Sequence, residues 1–149
     1  MTTATRYFNQ LPRGEQKKFM QLDAEKLHPS IAPESIIDRF AQTIEECSST
    51  YRYGLDDYTN DLTVREIIQD ILDAARVGAF DALRALLADL DRRFCAVTIE
   101  LPEPIFAAAL ARRDRKKYFF YFRIPHRPGE EMVEDLVRMK LISSPEELG

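Results

Sequence analysis

Apolar residues recur at intervals of three and four along most of this sequence, and this periodicity constrains the fold more than any other feature. It is clearest after residue 63, where one side of a helix collects Val64, Ile67, Ile68, Ile71, Leu72 and Ala75. A second stripe of the same kind follows in Phe80, Leu83, Leu86, Leu87, Leu90 and Phe94. We therefore predict two helices that form an antiparallel hairpin and supply most of the core.

Local signals suggest where the first of these helices begins and ends. Thr63 and Glu66 have the spacing of a capping box, in which each side chain accepts a hydrogen bond from the other residue's backbone N–H. Gly78 follows the stripe, and glycine adopts the left-handed conformation that often ends a helix. These signals predict a helix that starts at Thr63 and stops near Gly78.

Weaker stripes predict further helices on both sides of this pair. We expect helices over residues 13–27, 33–49 and 130–141, and a short one over 104–111. The first should end before Pro29, because the residue preceding a proline is pushed away from helical angles.

Residues 95–124 break the helical pattern. Val97, Ile99 and Leu101 alternate with polar residues, and the aromatic run 118–122 precedes Ile124 and Pro125, which favours extended backbone with one side of the run buried. The length of 149 residues suits one domain. We therefore predict a mainly α-helical bundle, a single domain over 1–149, with a short extended or β element near residues 95–124 and a flexible end at about 143–149.

Composition and motifs limit where such a chain works. The longest apolar run, residues 105–111, is far shorter than the ~20 residues of a membrane-spanning helix, so we expect no membrane partner. Residues 1–14 lack the hydrophobic middle of a secretory signal. Cys47 and Cys95 are far apart in the sequence and are expected to be reduced and buried. These features predict a cytoplasmic protein.

Acidic residues concentrate in residues 54–91, which hold nine Asp and Glu against three Arg. Such a surface repels phosphate groups and attracts basic protein surfaces, so it favours a basic protein as partner and disfavours nucleic acid. Within it, Tyr58 is a candidate aromatic anchor inside an acidic rim. The predicted partner-binding residues are Asp56, Asp57, Tyr58, Asp61, Glu66, Asp70 and Asp73.

The leading hypothesis is therefore a non-enzymatic protein-binding module. By analogy, one concrete form is an immunity or antitoxin-like inhibitor, a small acidic helical protein that covers a cationic nuclease surface. The simpler structural interpretation of residues 56–61 is a turn followed by an acidic helix entry, which the helix dipole stabilises. Self-association through the edge of the extended element stays open.

A second hypothesis is binding of RNA or single-stranded DNA through residues 112–123. There a basic run precedes aromatic residues, and cations contact phosphates while bases stack on rings. The residues in question are Arg112, Arg113, Arg115, Lys116, Lys117, Tyr118 and Tyr121. The sequence pI of about 5.3 argues against a nonspecific nucleic-acid binder.

A third and weaker hypothesis is a carboxylate-dependent or metal-dependent enzyme. Glu66, Asp70 and Asp73 are spaced so that their carboxylates share one helical side, as acid and base pairs or metal ligands require. No partner histidine or glycine-rich phosphate loop accompanies them. The residues around Asp56 also lack the glycine and glutamate positions of an EF-hand, so the sequence identifies no catalytic residue, metal site or cofactor.

Overall fold

The computed structural model describes residues 6–26, 31–105 and 114–148, and within them the chain is mainly helical. The α-helices and strands, in chain order, are α1 Arg13–Lys26, α2 Ile36–Ser48, α3 Leu55–Ala74, α4 Asp81–Ala96, β1 Thr98–Glu100, β2 Arg123–Pro125 and α5 Glu130–Arg138. The predicted mainly α-helical bundle with a small β element in the 95–124 region is confirmed. None of the described helices combines the length and apolar character needed to cross a membrane.

The centre of the fold is the packing of α2 on α3. The apolar stripe of α2, including Ile37, Phe40 and Ile44, is buried against Ile68 and Ile71 of α3 in one hydrophobic core. Burying a large aliphatic or aromatic side chain contributes about 1.5–3 kcal/mol, so this interface stabilises the fold strongly. The two helices predicted to form the core, α3 and α4, both contribute buried residues, but α3 packs chiefly on α2, which shares that core.

The start of α3 also differs from the prediction. The helix begins at Leu55, after Gly54, and the carboxylate of Asp135 accepts a hydrogen bond from the Leu55 N–H at 2.9 Å. A Cβ at position 54 would lie 2.7 Å from that carboxylate, so the glycine leaves room for the cap that α5 provides. The capping box does not form, since the Thr63 hydroxyl donates to the Asn60 carbonyl inside the helix at 2.6 Å.

The end of α3 lies before the predicted stop. The helix ends at Ala74, and Gly78 occupies the turn to α4 with φ of +85°, a conformation that glycine adopts without a side-chain clash. The next helix is capped from a distance, because the Glu15 carboxylate of α1 accepts hydrogen bonds from the N–H groups of Ala82 and Leu83 at 3.0 and 2.9 Å.

A buried ion pair joins α3 to α4. Arg65 is 3% exposed, and its guanidinium donates to both carboxylate oxygens of Asp91, from Nε at 2.9 Å and Nη2 at 2.8 Å. The rings of Phe40, Phe119 and Phe120 lie within 5.9 Å of the same guanidinium carbon. Arg65 is thus a structural residue that connects two helices and the aromatic run.

The aromatic run is helical rather than extended, which corrects the prediction for residues 118–122. Phe119–Phe122 form a 3-10 helix, and only the following Arg123–Pro125 pair with β1, with Ile124 opposite Ile99 in an antiparallel register. Phe120, Tyr121 and Phe122 are all buried, instead of alternating between core and solvent. Phe119 packs on Phe94 of α4, and successive rings of the run pack on one another. A tight turn thus buries consecutive rings where a strand would bury every second one.

The remaining predicted helices have mixed outcomes. The 13–27 and 33–49 predictions correspond to α1 and α2, although Pro33–Ser35 form a 3-10 turn before α2. The 130–141 helix ends earlier, at Arg138. Most of the predicted short helix 104–111 lies outside the described residues. Pro145–Leu148 form a 3-10 turn, and flexibility at 143–149 stays a prediction.

Candidate functional site

The leading candidate site is an acidic cleft between α2 and the first half of α3. Its volume is about 330 Å3, and its lining residues are Arg39, Gln42, Thr43, Glu46, Tyr53, Asp57 and Asp61. Three of these side chains are carboxylates and one is a guanidinium, so the lining carries net negative charge. We refer to this set as the acidic cleft.

Helical spacing explains why these side chains meet. Arg39, Thr43 and Glu46 recur at intervals of four and three along α2, and Asp57 and Asp61 are four residues apart on α3. The two stripes face each other across the α2–α3 packing.

Tyr53 reaches the acidic cleft from the connection between the two helices. That connection is fixed at Tyr51, whose N–H donates to the Arg127 carbonyl at 2.9 Å and whose carbonyl accepts from the Gly129 N–H at 2.8 Å. The Tyr51 and Tyr53 rings meet edge to face, with centroids 5.6 Å apart. Tyr53 therefore projects from an anchored segment and not from a long loop.

Burial sets the electrostatics of the acidic cleft. Burial raises the pKa of Asp61, and the hydroxyl of Tyr51, which donates to Asp61 at 2.8 Å, offsets part of that rise. Burial, and then the charge of Asp61, also raises the pKa of Glu46. The cleft therefore holds two carboxylates whose ionised forms are disfavoured, and a cation bound between them would relieve this cost.

Cys47 lies close to the acidic cleft but is not a nucleophile. It is fully buried, and burial followed by the Glu46 charge raises the pKa of its thiol to about 12. A thiol with that pKa stays protonated at neutral pH, and only the thiolate reacts. Cys47 is therefore a packing residue, in line with its position on the apolar face of α2.

The structure separates the predicted partner-binding residues into several environments. Tyr58 is fully buried, and its hydroxyl donates to the Arg123 carbonyl at 2.8 Å, so it is not a surface anchor. Tyr58 lies three residues after Leu55 and four before Leu62. Once the helix is known to start at Leu55, this spacing predicts that Tyr58 is buried. Tyr53, which the sequence reasoning missed, is the aromatic residue at the acidic cleft and is 48% exposed.

Asp56 is exposed but does not line the acidic cleft. It borders a separate pocket of about 470 Å3, together with Leu55, Thr59 and Arg138. Adjacent residues on a helix point about 100° apart, which is why Asp56 and Asp57 end on different sides of α3.

Glu66, Asp70 and Asp73, here called the covered acidic row, lie against residues 114–122. The Tyr121 hydroxyl donates to Glu66 at 2.5 Å, and the Lys117 ammonium pairs with Asp73 at 3.1 Å. Burial, and then the nearby charge of Asp70, raises the pKa of Tyr118. Side chains of residues 114–122 thus contact the carboxylates of the covered acidic row.

The predicted nucleic-acid residues are distributed around this same contact. Arg115 pairs with Glu100 at 3.0 Å, donates to the carbonyls of Leu101 and Pro102 at 2.7 and 2.9 Å, and lies over the Phe122 ring at 4.3 Å. Lys116 is exposed, Tyr118 is half-buried and Tyr121 is fully buried. Arg112 and Arg113 lie outside the described residues.

The described part of the chain contains no group of His, Cys, Asp and Glu side chains arranged to hold a metal ion. The carboxylates of the covered acidic row instead contact Lys117 and Tyr121, as given above. Comparison of the chain with models of protein families, with curated proteins and with solved structures found no match, so its function is inferred here from its own residues.

Proposed function

We propose that the protein is a non-enzymatic binding module whose acidic cleft receives a basic side chain of a partner protein. The observation that carries this proposal is the meeting of Glu46, Asp57 and Asp61 around a cavity of about 330 Å3 beside the half-exposed ring of Tyr53. The cavity is in the size range of small binding sites, with an opening to solvent on the protein surface.

Charge supports a cationic ligand. Arg39 is the single basic residue in the lining, against three carboxylates. Burial raises the pKa values of Glu46 and Asp61, so the empty cleft disfavours their ionised forms. An incoming cation would stabilise these ionised carboxylates. Binding should therefore be coupled to release of protons from these two groups.

The ring of Tyr53 supports a lysine or arginine side chain rather than a free metal ion. A guanidinium or ammonium group within about 6 Å of an aromatic ring is attracted to its face, and the aliphatic stem packs on the ring. Tyrosine and arginine are enriched among the residues that dominate protein interfaces. An exposed tyrosine beside carboxylates therefore favours a basic protein segment.

This proposal includes the cytoplasm as the place of action and an inhibitor of the immunity or antitoxin type as one form of the module. The two thiols, Cys47 and Cys95, are both free, as in a reducing compartment. The inhibitor form rests on analogy with small acidic proteins that cover cationic enzyme surfaces.

Asp56 and Asp57 provide a matched pair of variants for the test. Asp57→Lys reverses a charge inside the acidic cleft, and Asp56→Lys makes the same change one residue away, outside it. Both side chains are exposed, so both variants are expected to fold.

The experiment measures binding of a fluorescent arginine-rich peptide by anisotropy at low and high salt. We expect salt-sensitive binding by the unaltered protein, about a tenfold loss for Asp57→Lys, and a much smaller loss for Asp56→Lys. Equal losses for the inside and outside variants would overturn the assignment to the cleft. A single-stranded oligonucleotide measured in parallel tests the nucleic-acid alternative.

A further inference from the structure

The first helix presents a surface of opposite charge, on a different part of the molecule from the acidic cleft. A groove of about 890 Å3 runs along α1, and its lining includes Leu11, Arg13, Gln16, Lys17 and Met20. Arg13, Gln16, Lys17 and Met20 are spaced by three or four residues, so they form one continuous stripe on the helix. We call this surface the α1 groove.

The charge of the α1 groove is entirely positive. Among the described residues, its lining includes Arg13 and Lys17 and no acidic residue. Glu15, the acidic residue in the first turn of α1, is directed away because its carboxylate caps α4 through Ala82 and Leu83. The groove is therefore a cationic surface on a chain with a net charge of −4.

Some cations of the described structure pair with carboxylates, among them Arg65, Arg93 and Lys117. Arg13 and Lys17 are both exposed, and the described residues that line the groove include no carboxylate. Carboxylates of a partner can therefore approach both cations from solvent.

An apolar side chain continues the stripe. Met20 is 43% exposed at the far end, while Leu11 is 4% exposed. Methionine is flexible and polarizable, and it is common on surfaces that bind peptides.

The groove is also preformed. The Gln16 amide donates to the Leu11 carbonyl at 2.8 Å, and Phe8 below it packs edge to face on Phe19, with centroids 5.9 Å apart. Binding would cost little rearrangement of the groove wall.

We infer that the α1 groove binds an acidic peptide segment of a partner protein, with two carboxylates on Arg13 and Lys17 and a large apolar residue on Met20. Arg13 and Lys17 are separated by about 6 Å of helix rise. Side chains two residues apart on an extended peptide are about 7 Å apart, which matches this separation. Recognition of acidic motifs by basic residues on a helix is a common mode of peptide binding.

The test uses two labelled peptides and the full chain. The acidic probe is an extended Glu-Ser-Glu-Ser-Leu core, and the second probe carries Lys in place of both Glu. The groove variant is Arg13→Glu with Lys17→Glu, and its control is Arg76→Glu with Lys116→Glu, two exposed cations elsewhere with the same total charge change. Circular dichroism verifies that all variants are folded.

We expect the acidic probe to bind the unaltered protein in a salt-sensitive manner and to lose about tenfold or more in affinity with the groove variant, but not with the control. Met20→Ala should weaken binding without changing its salt dependence. The basic probe should not respond to the groove variant, because it belongs to the acidic cleft.

Absence of binding by the acidic probe at millimolar concentration, or equal losses in groove and control variants, would overturn the inference. Either result leaves the proposed function of the acidic cleft intact, since that depends on the basic probe.

Discussion

The two halves of α3 carry the same kind of residue in very different surroundings. Asp57 and Asp61 in the first half line the acidic cleft beside Tyr53. Glu66 and Asp73 in the second half contact Tyr121 and Lys117 of the segment that folds over them. One helix thus lines an open cleft with carboxylates at one end and contacts the segment 114–122 with carboxylates at the other.

This difference shows that an acidic run in a sequence is not yet an acidic surface. Whether a carboxylate is available depends on which segment folds over it, and here a basic and aromatic segment 40 to 60 residues away contacts Glu66 and Asp73. The same contact engages Lys117 and Tyr121, two residues of the nucleic-acid hypothesis. The first half should therefore affect binding and the second half stability.

The largest expected effect is on stability, from the second half. Arg65→Ala leaves the carboxylate of Asp91 without its buried partner. Breaking a fully buried pair costs about 3–5 kcal/mol, and because Asp91 is 22% exposed we expect a loss near the lower end of that range. Arg92→Ala on the exposed side of α4 should change the free energy of unfolding by less than about 0.5 kcal/mol. Urea unfolding measures both, and similar values for the two variants would contradict a structural role for Arg65.

A pair of Tyr→Phe substitutions compares the two halves directly. Tyr121→Phe removes the hydroxyl that donates to Glu66 and should cost about 1.5–3 kcal/mol, because the lost hydrogen bond involves a charged group. Tyr53→Phe, at the acidic cleft, should change stability by less than about 0.5 kcal/mol, since Tyr53 is half-exposed. Thermal unfolding at one pH is sufficient, and equal shifts in Tm would remove the distinction between the halves.

The pH dependence of stability should show the cost of burying the ionised carboxylates of Glu46 and Asp61 in the acidic cleft. Because the pKa values of Glu46 and Asp61 are raised in the folded state, the folded chain retains protons that the unfolded chain releases. Their contribution to stability therefore decreases as pH rises from the ordinary acid range through the raised pKa values. Asp61→Asn keeps an acceptor for Tyr51 and should gain stability relative to the unaltered protein as pH increases.

Asp135 provides a control of opposite sign for this experiment. The Leu55 N–H, and then Arg138, lower the pKa of Asp135, so its contribution is present above the ordinary aspartate pKa and is lost as pH falls through the lowered value. Asp135→Asn should therefore lose stability mainly at neutral pH. Parallel curves for Asp61→Asn and Asp135→Asn between pH 4 and 7 would refute the assigned shifts.

The smallest effect is expected at the edge of the covered acidic row. Lys117 and Asp73 form an ion pair with both side chains more than a third exposed. Solvent screens such pairs, so Lys117→Ala should leave Tm unchanged within experimental error. If Lys117→Ala instead lowers Tm clearly, and the difference from the unaltered protein disappears when both are measured in 0.5 M salt, this pair holds the aromatic segment in place.

Much of the helical content could be predicted from the sequence, but the boundaries of α3 could not. The stripes of α2 and α4 identified their helices, since burial of one face requires a repeat of three or four residues. The spacing of Thr63 and Glu66 predicts a helix start at Thr63, because a sequence pattern reports only on residues that are close along the chain. The real start, at Leu55, is stabilised by Asp135, which is 80 residues away.

The candidate site was predicted in part. Asp57 and Asp61 were named among the partner-binding residues and both line the acidic cleft, although binding itself stays a proposal. The sequence pattern favours a turn at residues 56–61 and therefore predicts a surface position for Tyr58. Once those residues are helical, Tyr58 faces the core and Tyr53 takes the exposed position.

The sequence by itself determined the helical class, the apolar faces and the acidic character of residues 54–91, since these follow from local periodicity and composition. Only the tertiary structure decided which acidic residues remain accessible, where α3 begins and how the aromatic run folds. Those outcomes depend on contacts between distant segments, such as Tyr121 with Glu66 and Asp135 with Leu55. A hydrogen bond or ion pair of this kind has no local signature, because its free energy depends on burial and geometry that the fold alone creates.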